Sequence, residues 1–393
     1  MALPVVRLQP GRHKRAALGH PWIFSNEIVM DGGAKALPAG EIVRFQAHDG
    51  SFLGTGSFQS QNLIAGRIFT RKPLETINAA FFVRRFERAA ALRARFIDGT
   101  DYRLIHAEAD GLPGLIVDRF GAVFSLQANT AGMDRLLPAV TEALGAVFDP
   151  AGIIAHNDSA ARASEGLPRE VKVLAGTVPP EVELAENGVR FVADLLGGQK
   201  TGWYFDQRDN HARLARLAKG GRVLDVYCHA GGFGIAAAKA GAASVVGVDS
   251  SAGALALAAK AAQLNDVAGV CTWEKADAFD DLQKRAAAKE RYDIVIADPP
   301  PFVKSRKDLA SGAKGYRKLT RLAAELVVEG GLLFIASCSH NMALDAFVDE
   351  VARGLAEARR EGAIVETLFA APDHPVHPHL PESAYLKGVL VRV

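Results

Sequence analysis

The chain has 393 residues, 49% of them hydrophobic and 23% charged, with a net charge of +2; that is room for two or three domains with ordinary globular cores and not the composition of a disordered chain. No apolar run reaches the ~18 residues of a membrane-spanning helix, and the opening MALPVVRLQPGRHKR lacks the apolar stretch of a signal peptide. The three cysteines, Cys228, Cys271 and Cys338, have no metal-ligand spacing, so no metal is expected and a reducing, cytoplasmic compartment is.

Charge is unevenly spread. Residues 1–100 hold 14 Lys and Arg against 7 Asp and Glu, whereas the rest hold 32 against 37. A basic first quarter on a slightly acidic body suggests a nucleic-acid-contacting appendage, although a solvated basic face gives the same count. Short β-like runs at Val5–Leu8, Glu41–Gln46, Phe52–Ser57 and Ala65–Phe69, separated by Gly, Asp and Pro turns, read as a small β domain over 1–75. Arg12, Lys14 and Arg15, then His20 and Trp22, put basic groups beside aromatic ones, as phosphate contact plus base stacking requires. Trp22 and Phe24 also suit a core. The run Gly19-His20-Pro21-Trp22-Ile23-Phe24-Ser25, with the β pattern after it, resembles the PUA domain, an RNA-binding module.

A helix is expected over Ala79–Arg95, with Phe82, Phe86 and Ala89 on one face and arginines spread over the others. Strands follow at Tyr102–Ala107, Leu115–Asp118 and Val123–Ala128, a helix at Met133–Val147, and strands at Ile153–Asn157 and Val171–Leu174. Residues 76–177 thus form an α+β middle domain, in which Asp158, Arg162 and Glu165 are candidates for a shared pocket wall. Past Val178-Pro179-Pro180, Asn187-Gly188 between two alternating runs signals a hairpin. The polar–aromatic run from Gly198 to Arg208 follows, and its Lys200, Asp206, Gln207 and Arg208 could close over a bound cofactor.

From Gly221 onward strands and helices alternate. Strands are expected at Val223–Tyr227, Val245–Val248, Thr272–Lys275, Ile294–Ala297, Leu332–Ala336, Ile364–Phe369 and Leu386–Val393. This is the α/β pattern of a Rossmann-like, doubly wound sheet, whose ligands bind at the carboxyl ends of the strands. The first strand runs into Ala230-Gly231-Gly232-Phe233-Gly234, where small residues let a ligand approach the backbone, and the second ends in Asp249, which suits a ribose diol. The run is not G-x-G-x-x-G. Asp225 inside the first strand would repel a pyrophosphate but suits an ammonium, which points to S-adenosylmethionine over NAD; a ligand-free Rossmann unit stays open.

Three further strand ends carry polar groups. Asp277, followed by Ala278, can accept from an adenine amino group or simply cap a helix. Asp298-Pro299-Pro300 ends the fourth strand in a stiff turn of a kind shared by methyltransferases acting on planar amino groups and on base carbons. Ser337-Cys338-Ser339-His340 ends the fifth, a neighbour of the fourth in this topology, so Cys338 and Asp298 should converge. Cytosine C5 needs covalent activation before it accepts a methyl group, and a thiolate adding to C6 provides it, whereas amino-group methylation needs no thiol. Cys338 is therefore the residue that separates the two chemistries.

The runs G-Q-K-T-G-W-Y-F-D-Q-R, D-V-Y-C-H-A-G-G-F-G, A-D-P-P-P-F and S-C-S-H, with Asp373-His374-Pro375 and Tyr385-Leu386-Lys387 near the end, resemble PUA-domain-containing class I rRNA methyltransferases nearly end to end. The resemblance implies a methyltransferase sheet over 178–393, S-adenosylmethionine as methyl donor, Cys338 as nucleophile, 5-methylcytosine in 23S rRNA, free or in a pre-subunit particle, as product, and often a homodimer. Tyr227-Cys228-His229 and Pro301 depart from the commoner pattern without touching that chemistry. Two alternatives remain: a guanine or adenine nitrogen methyltransferase using Asp298-Pro299-Pro300 with a structural Cys338, and a non-catalytic RNA-binding protein.

Overall fold

The computed structural model describes residues 3–198 and 201–393; Gln199 and Lys200, the latter a candidate for covering the cofactor, lie outside the described residues. The chain forms two compact units. The first comprises residues 1–180, 195–203 and 372–383, and the second 181–194, 204–371 and 384–393.

The first unit contains two five-stranded sheets. Strands β1 (Val5–Arg7), β2 (Trp22–Phe24), β3 (Glu41–Gln46), β4 (Phe52–Phe58) and β5 (Ile64–Thr70) are ordered β1-β3-β4-β5-β2. The β2 strand was not expected from the sequence. At three residues it is too short for a period-2 pattern to register, and only its antiparallel pairing, Trp22 opposite Arg67 and Ile23 opposite Gly66, defines it. Strands β6 (Asp101–His106), β7 (Leu115–Phe120), β8 (Val123–Ala128), β9 (Gly152–Asn157) and β10 (Glu170–Gly176) form the second sheet in the order β10-β9-β8-β7-β6. The helix Ala79–Arg93 opens on an Asn78 cap whose side chain accepts from the Phe81 N–H, and it buries Phe81, Phe82, Phe86 and Ala89. The single helix expected at Met133–Val147 is two, Ala131–Arg135 and Leu137–Phe148, because Pro138 starts a new helix instead of continuing the old one.

The boundary expected at residue 75 falls between two sheets of one unit. Arg67 pairs with Glu165 at 2.9 Å, and the Trp22 indole N–H donates to Glu108 at 2.8 Å. Of Asp158, Arg162 and Glu165, the candidates for a pocket wall, the latter two have their side chains engaged within the unit. Arg162 is buried, donating to the carbonyls of Ala128 and Pro168 and pairing with Asp134 at 2.8 Å, while Glu165 takes Arg67 and the Ala131 N–H, and the Asp158 carbonyl accepts from Arg169. The Arg162 and Glu165 side chains are internal ties.

The second unit opens with the hairpin β11 (Glu181–Glu186) and β12 (Val189–Asp194). Its turn residues Asn187 and Gly188 both have positive φ, 52° and 78°, the conformation a two-residue hairpin of this twist needs. Strands β13 (Arg222–Val226), β14 (Ser244–Asp249), β15 (Cys271–Lys275), β16 (Tyr292–Ala297), β17 (Val327–Ser337), β18 (Ala363–Phe369) and β19 (Lys387–Arg392) form one sheet in the order β15-β14-β13-β16-β17-β19-β18. The first five are parallel, and β19 runs antiparallel between β17 and β18. Strand residues Val226, Val295, Leu333 and Ile335 are fully buried against Leu319, Leu322 and Phe347 of the covering helices. The strand order reverses direction at β13 and β16, and such a switch point opens a crevice at the carboxyl ends. Among the described residues no helix is long and apolar enough to cross a membrane.

Candidate active site

Asp225, Asp249, Asp298 and Cys338 all lie at the carboxyl end of the sheet, on or just after β13, β14, β16 and β17. Ala297 pairs with Ile335 in register, so Asp298 and Cys338 leave adjacent strands, as the sequence implied. The Cys338 Sγ stands 3.9 Å from the Pro299 carbonyl.

The turn after β13 is unusual backbone. Tyr227 (φ 65°), His229 (φ 49°) and Gly231 (φ 83°) are all left-handed, and the first two are bulky residues that avoid this region unless held there. They are held: the Tyr227 and Cys228 N–H groups donate to the Val248 carbonyl, the His229 N–H to Asp249 Oδ2 at 3.0 Å, and the Gly231 N–H to the Cys228 carbonyl. Asp249 also accepts from Ser251 N at 2.8 Å, which fixes its carboxylate at the strand end. Asp225 is buried; Oδ2 accepts from the Gly234 N–H at 2.9 Å, and Oδ1 is buried with no hydrogen-bond partner. Burial pushes its carboxyl up to about 7, and the charges of Asp298 and Asp249 push the same way. A buried, unsatisfied carboxylate oxygen beside a glycine turn fits a cationic ligand such as the amino-acid end of S-adenosylmethionine.

The other cofactor candidates separate. Asp277 is a helix cap, with Oδ1 accepting from the N–H groups of Phe279 and Asp280 at 2.9 and 3.2 Å; Ala278 is the first residue of that helix and is buried. Ala230 is buried at the turn, whereas the Phe233 ring packs into the core, 4.4 Å from the His211 ring and 5.5 Å from that of Phe334. Asp206 is buried and accepts from the Tyr385 hydroxyl at 2.5 Å. Arg208 points toward Glu186 of the hairpin, 3.9 Å away, and Glu186 also contacts His211 at 3.0 Å.

Several contacts of this region carry no local sequence signal. Gln207 donates to Asp298 Oδ2 at 2.8 Å. The Tyr204 hydroxyl is raised above its usual range by burial and then by Asp206, Asp298, Cys338 and Asp249, so it lies among the acids and the thiol. Tyr316 hydrogen-bonds Ser337 Oγ at 2.9 Å and Ser339 Oγ at 2.8 Å, bracketing Cys338, and accepts from the Phe302 N–H at 3.4 Å. One phenol thus ties the Asp298–Phe302 turn to the Cys338 turn. Lys387, opposite Ser337 across β17 and β19, is buried and donates to the carbonyls of Ser339 at 2.7 Å and Tyr385 at 2.9 Å. Burial lowers its ammonium to about 8, with Cys338 pushing it back up. Cys228 is the opposite case: burial, then Asp225 and Asp249, hold its thiol well above the usual range.

The N-terminal basic cluster divides. Arg12 and Lys14 are exposed. Arg15 is half-buried, pairs with Glu27 at 3.0 Å and lies 4.2 Å over the Phe24 ring. His20 accepts from the Trp22 N–H at 3.1 Å.

Residues 168–392 match the S-adenosylmethionine-dependent methyltransferase family, and residues 6–71 match the PUA-like domain. Proteins named ribosomal RNA large subunit methyltransferase I from Shewanella frigidimarina and Pseudoalteromonas atlantica are 38% and 39% identical to this chain, each comparison covering 99% of both proteins. A solved structure described as a methyltransferase complexed with SAH superposes with a TM-score of 0.84, 23% identity and complete coverage of both chains. Its fold is the fold of this chain. The chain therefore belongs to the S-adenosylmethionine-dependent methyltransferase family, alongside the ribosomal RNA large subunit methyltransferases I that match it from end to end.

Proposed function

We propose that this protein methylates C5 of a cytosine in large-subunit (23S) ribosomal RNA, with Cys338 as the nucleophile. The observation that carries the reading is the place of Cys338: a half-buried thiol after β17, braced by Tyr316 through both flanking serines and adjoining the Asp298-Pro299-Pro300 turn. The end-to-end relatives support RNA of the large subunit as substrate.

In this reading Asp249 holds the cofactor's ribose hydroxyls, Asp225 with the Ala230-Gly231 turn and the Phe233 backbone hold its amino-acid end, and Asp277 with Ala278 faces its adenine. Asp206 and Arg208 brace the covering segment. Bound S-adenosylmethionine supplies an electrophilic methyl group. The Cys338 thiolate adds to cytosine C6, and the electron pair so released makes C5 nucleophilic. Asp298, held by Gln207, accepts from the cytosine amino group and keeps C6 presented to the thiol through the face of the ring. After C5 is methylated its proton leaves to a base, the C5–C6 double bond re-forms, and the thiolate departs. Residues 1–75 serve as the RNA-binding PUA-like domain through Arg12, Lys14, Arg15, His20 and Trp22, residues 76–177 as a middle domain and 178–393 as the catalytic domain. Ribosomal RNA as substrate places the protein in the cytoplasm.

Mass spectrometry of rRNA nucleosides from cells with and without the gene tests the reading. Loss of one 5-methylcytidine supports it. Loss of a nitrogen-methylated guanosine or adenosine instead supports the second reading, in which the Asp298 turn binds an amino group and Cys338 is structural.

A further inference from the structure

We propose that a groove of the first unit, along the helix Ala79–Arg93, is a track for the phosphodiester backbone of RNA. The proposal rests on the RNA reading above but places the contact outside the N-terminal basic cluster. The groove has a volume of about 550 Å³ and is walled by Arg85, Arg88 and Arg95 on one side and by Glu108, Asp110 and His377 on the other.

The charges of this groove do not cancel. On the same helix Arg84 pairs with Glu75 at 2.9 Å and Arg93 with Asp110 at 2.6 Å. Arg85 instead donates to the Phe69 carbonyl at 3.0 Å and lies 5.0 Å over the Phe81 ring. Among the described residues Arg85, Arg88 and Arg95 have no carboxylate within ion-pairing distance. The acids of the wall are engaged elsewhere: Glu108 accepts from the Trp22 indole, and Asp110 from Arg93 and the His106 N–H. A guanidinium satisfied by carbonyls keeps its full positive charge outward, which suits a polyanion.

A further basic group adjoins the groove. Arg71 donates to the carbonyls of Leu53 and His20 at 3.0 and 3.1 Å, so its charge is not met by a carboxylate there. His377, on the groove wall, has its ring 6.0 Å from that of His379. Arg88 is exposed on the helix and Arg95 is exposed in the turn just past its end, so the two can engage separate phosphates of one strand.

The test uses the full chain with Arg88→Gln and Arg95→Gln together, and Lys172→Gln on exposed β10 as a control. Binding of a large-subunit rRNA fragment is measured over a salt series, and S-adenosylmethionine binding by calorimetry. The double variant should bind RNA on the order of tenfold more weakly near 0.1 M salt, with the slope of log K against log salt reduced by about 0.7 per lost contact. Its cofactor affinity should match the wild type, and Lys172→Gln should change neither. If the double variant keeps the wild-type affinity and slope while the wild type binds RNA in a salt-dependent way, the groove is not the track and the RNA reading stands. If the wild type binds rRNA without salt dependence, the phosphate track fails and the RNA reading stands; if the wild type does not bind rRNA at all, both fail.

Discussion

The Lys387 ammonium donates to the Ser339 carbonyl at 2.7 Å, one residue beyond Cys338. A buried cation at the thiol's turn favours the thiolate, and the thiolate in turn holds the proton on Lys387, whose ammonium burial lowers to about 8. Lys387→Met should therefore move the pH at which Cys338 is half-maximally alkylated upward by about one unit, read by mass spectrometry at that residue, while Lys387→Arg should stay near wild type. An unchanged profile in Lys387→Met would reduce the lysine to a brace for the turn.

Asp225 should make cofactor binding pH-dependent. Its carboxyl is raised to about 7 in the folded protein, whereas the unfolded chain ionises near the ordinary carboxylate value of ~3.9. Folding stability is thus lost as pH rises between those two values and is level above about 7. Asp225→Asn should raise the Tm of the ligand-free protein, with a gain that grows from pH 5.5 to 7 and then flattens. The cationic end of S-adenosylmethionine favours the charged form, so wild-type affinity should increase from pH 6 to 8 with proton release on binding. Calorimetry in buffers of different ionisation enthalpy reads that proton, and its absence at pH 6 would remove Asp225 from the ammonium site.

Asp249 is aimed by two backbone N–H groups, those of His229 and Ser251, and ends β14 where a ribose diol would lie. Asp249→Ala should weaken S-adenosylmethionine binding by roughly 2–4 kcal/mol through two lost charge-assisted hydrogen bonds. Unchanged affinity in a calorimetric titration would sink the assignment.

What the sequence made legible was periodic or punctuated. Asp225, Asp249, Asp298 and Cys338 could be placed because apolar runs alternating with helices fix a parallel sheet, and each residue sits at or near a strand's end. The Asn187-Gly188 hairpin was legible from two residues. What was hidden came from pairings remote in sequence. Gln207 reaches Asp298 across 91 residues, and Lys387 reaches Ser339 across 48. Tyr316 looks like one more helix core residue, because nothing local says that its hydroxyl meets two serines at and just past the end of β17. The Arg67–Glu165 pair, which links the N-terminal sheet to the chain after it, was hidden for the same reason, since it joins residues 98 positions apart.

The central claim is that Cys338 bonds covalently to cytosine C6. Removing its thiol deletes that bond and little volume, so Cys338→Ala should bind S-adenosylmethionine and RNA nearly as wild type does and lose turnover. The direct measurement is trapping with rRNA carrying 5-fluorocytosine, where fluorine replaces the proton that must leave C5. Wild type and Cys228→Ala should each form a denaturation-resistant, methylated protein–RNA adduct, and Cys338→Ala should form none. Methylation of unmodified RNA by Cys338→Ala at near the wild-type rate would contradict the account and leave nitrogen methylation at the Asp298 turn in its place.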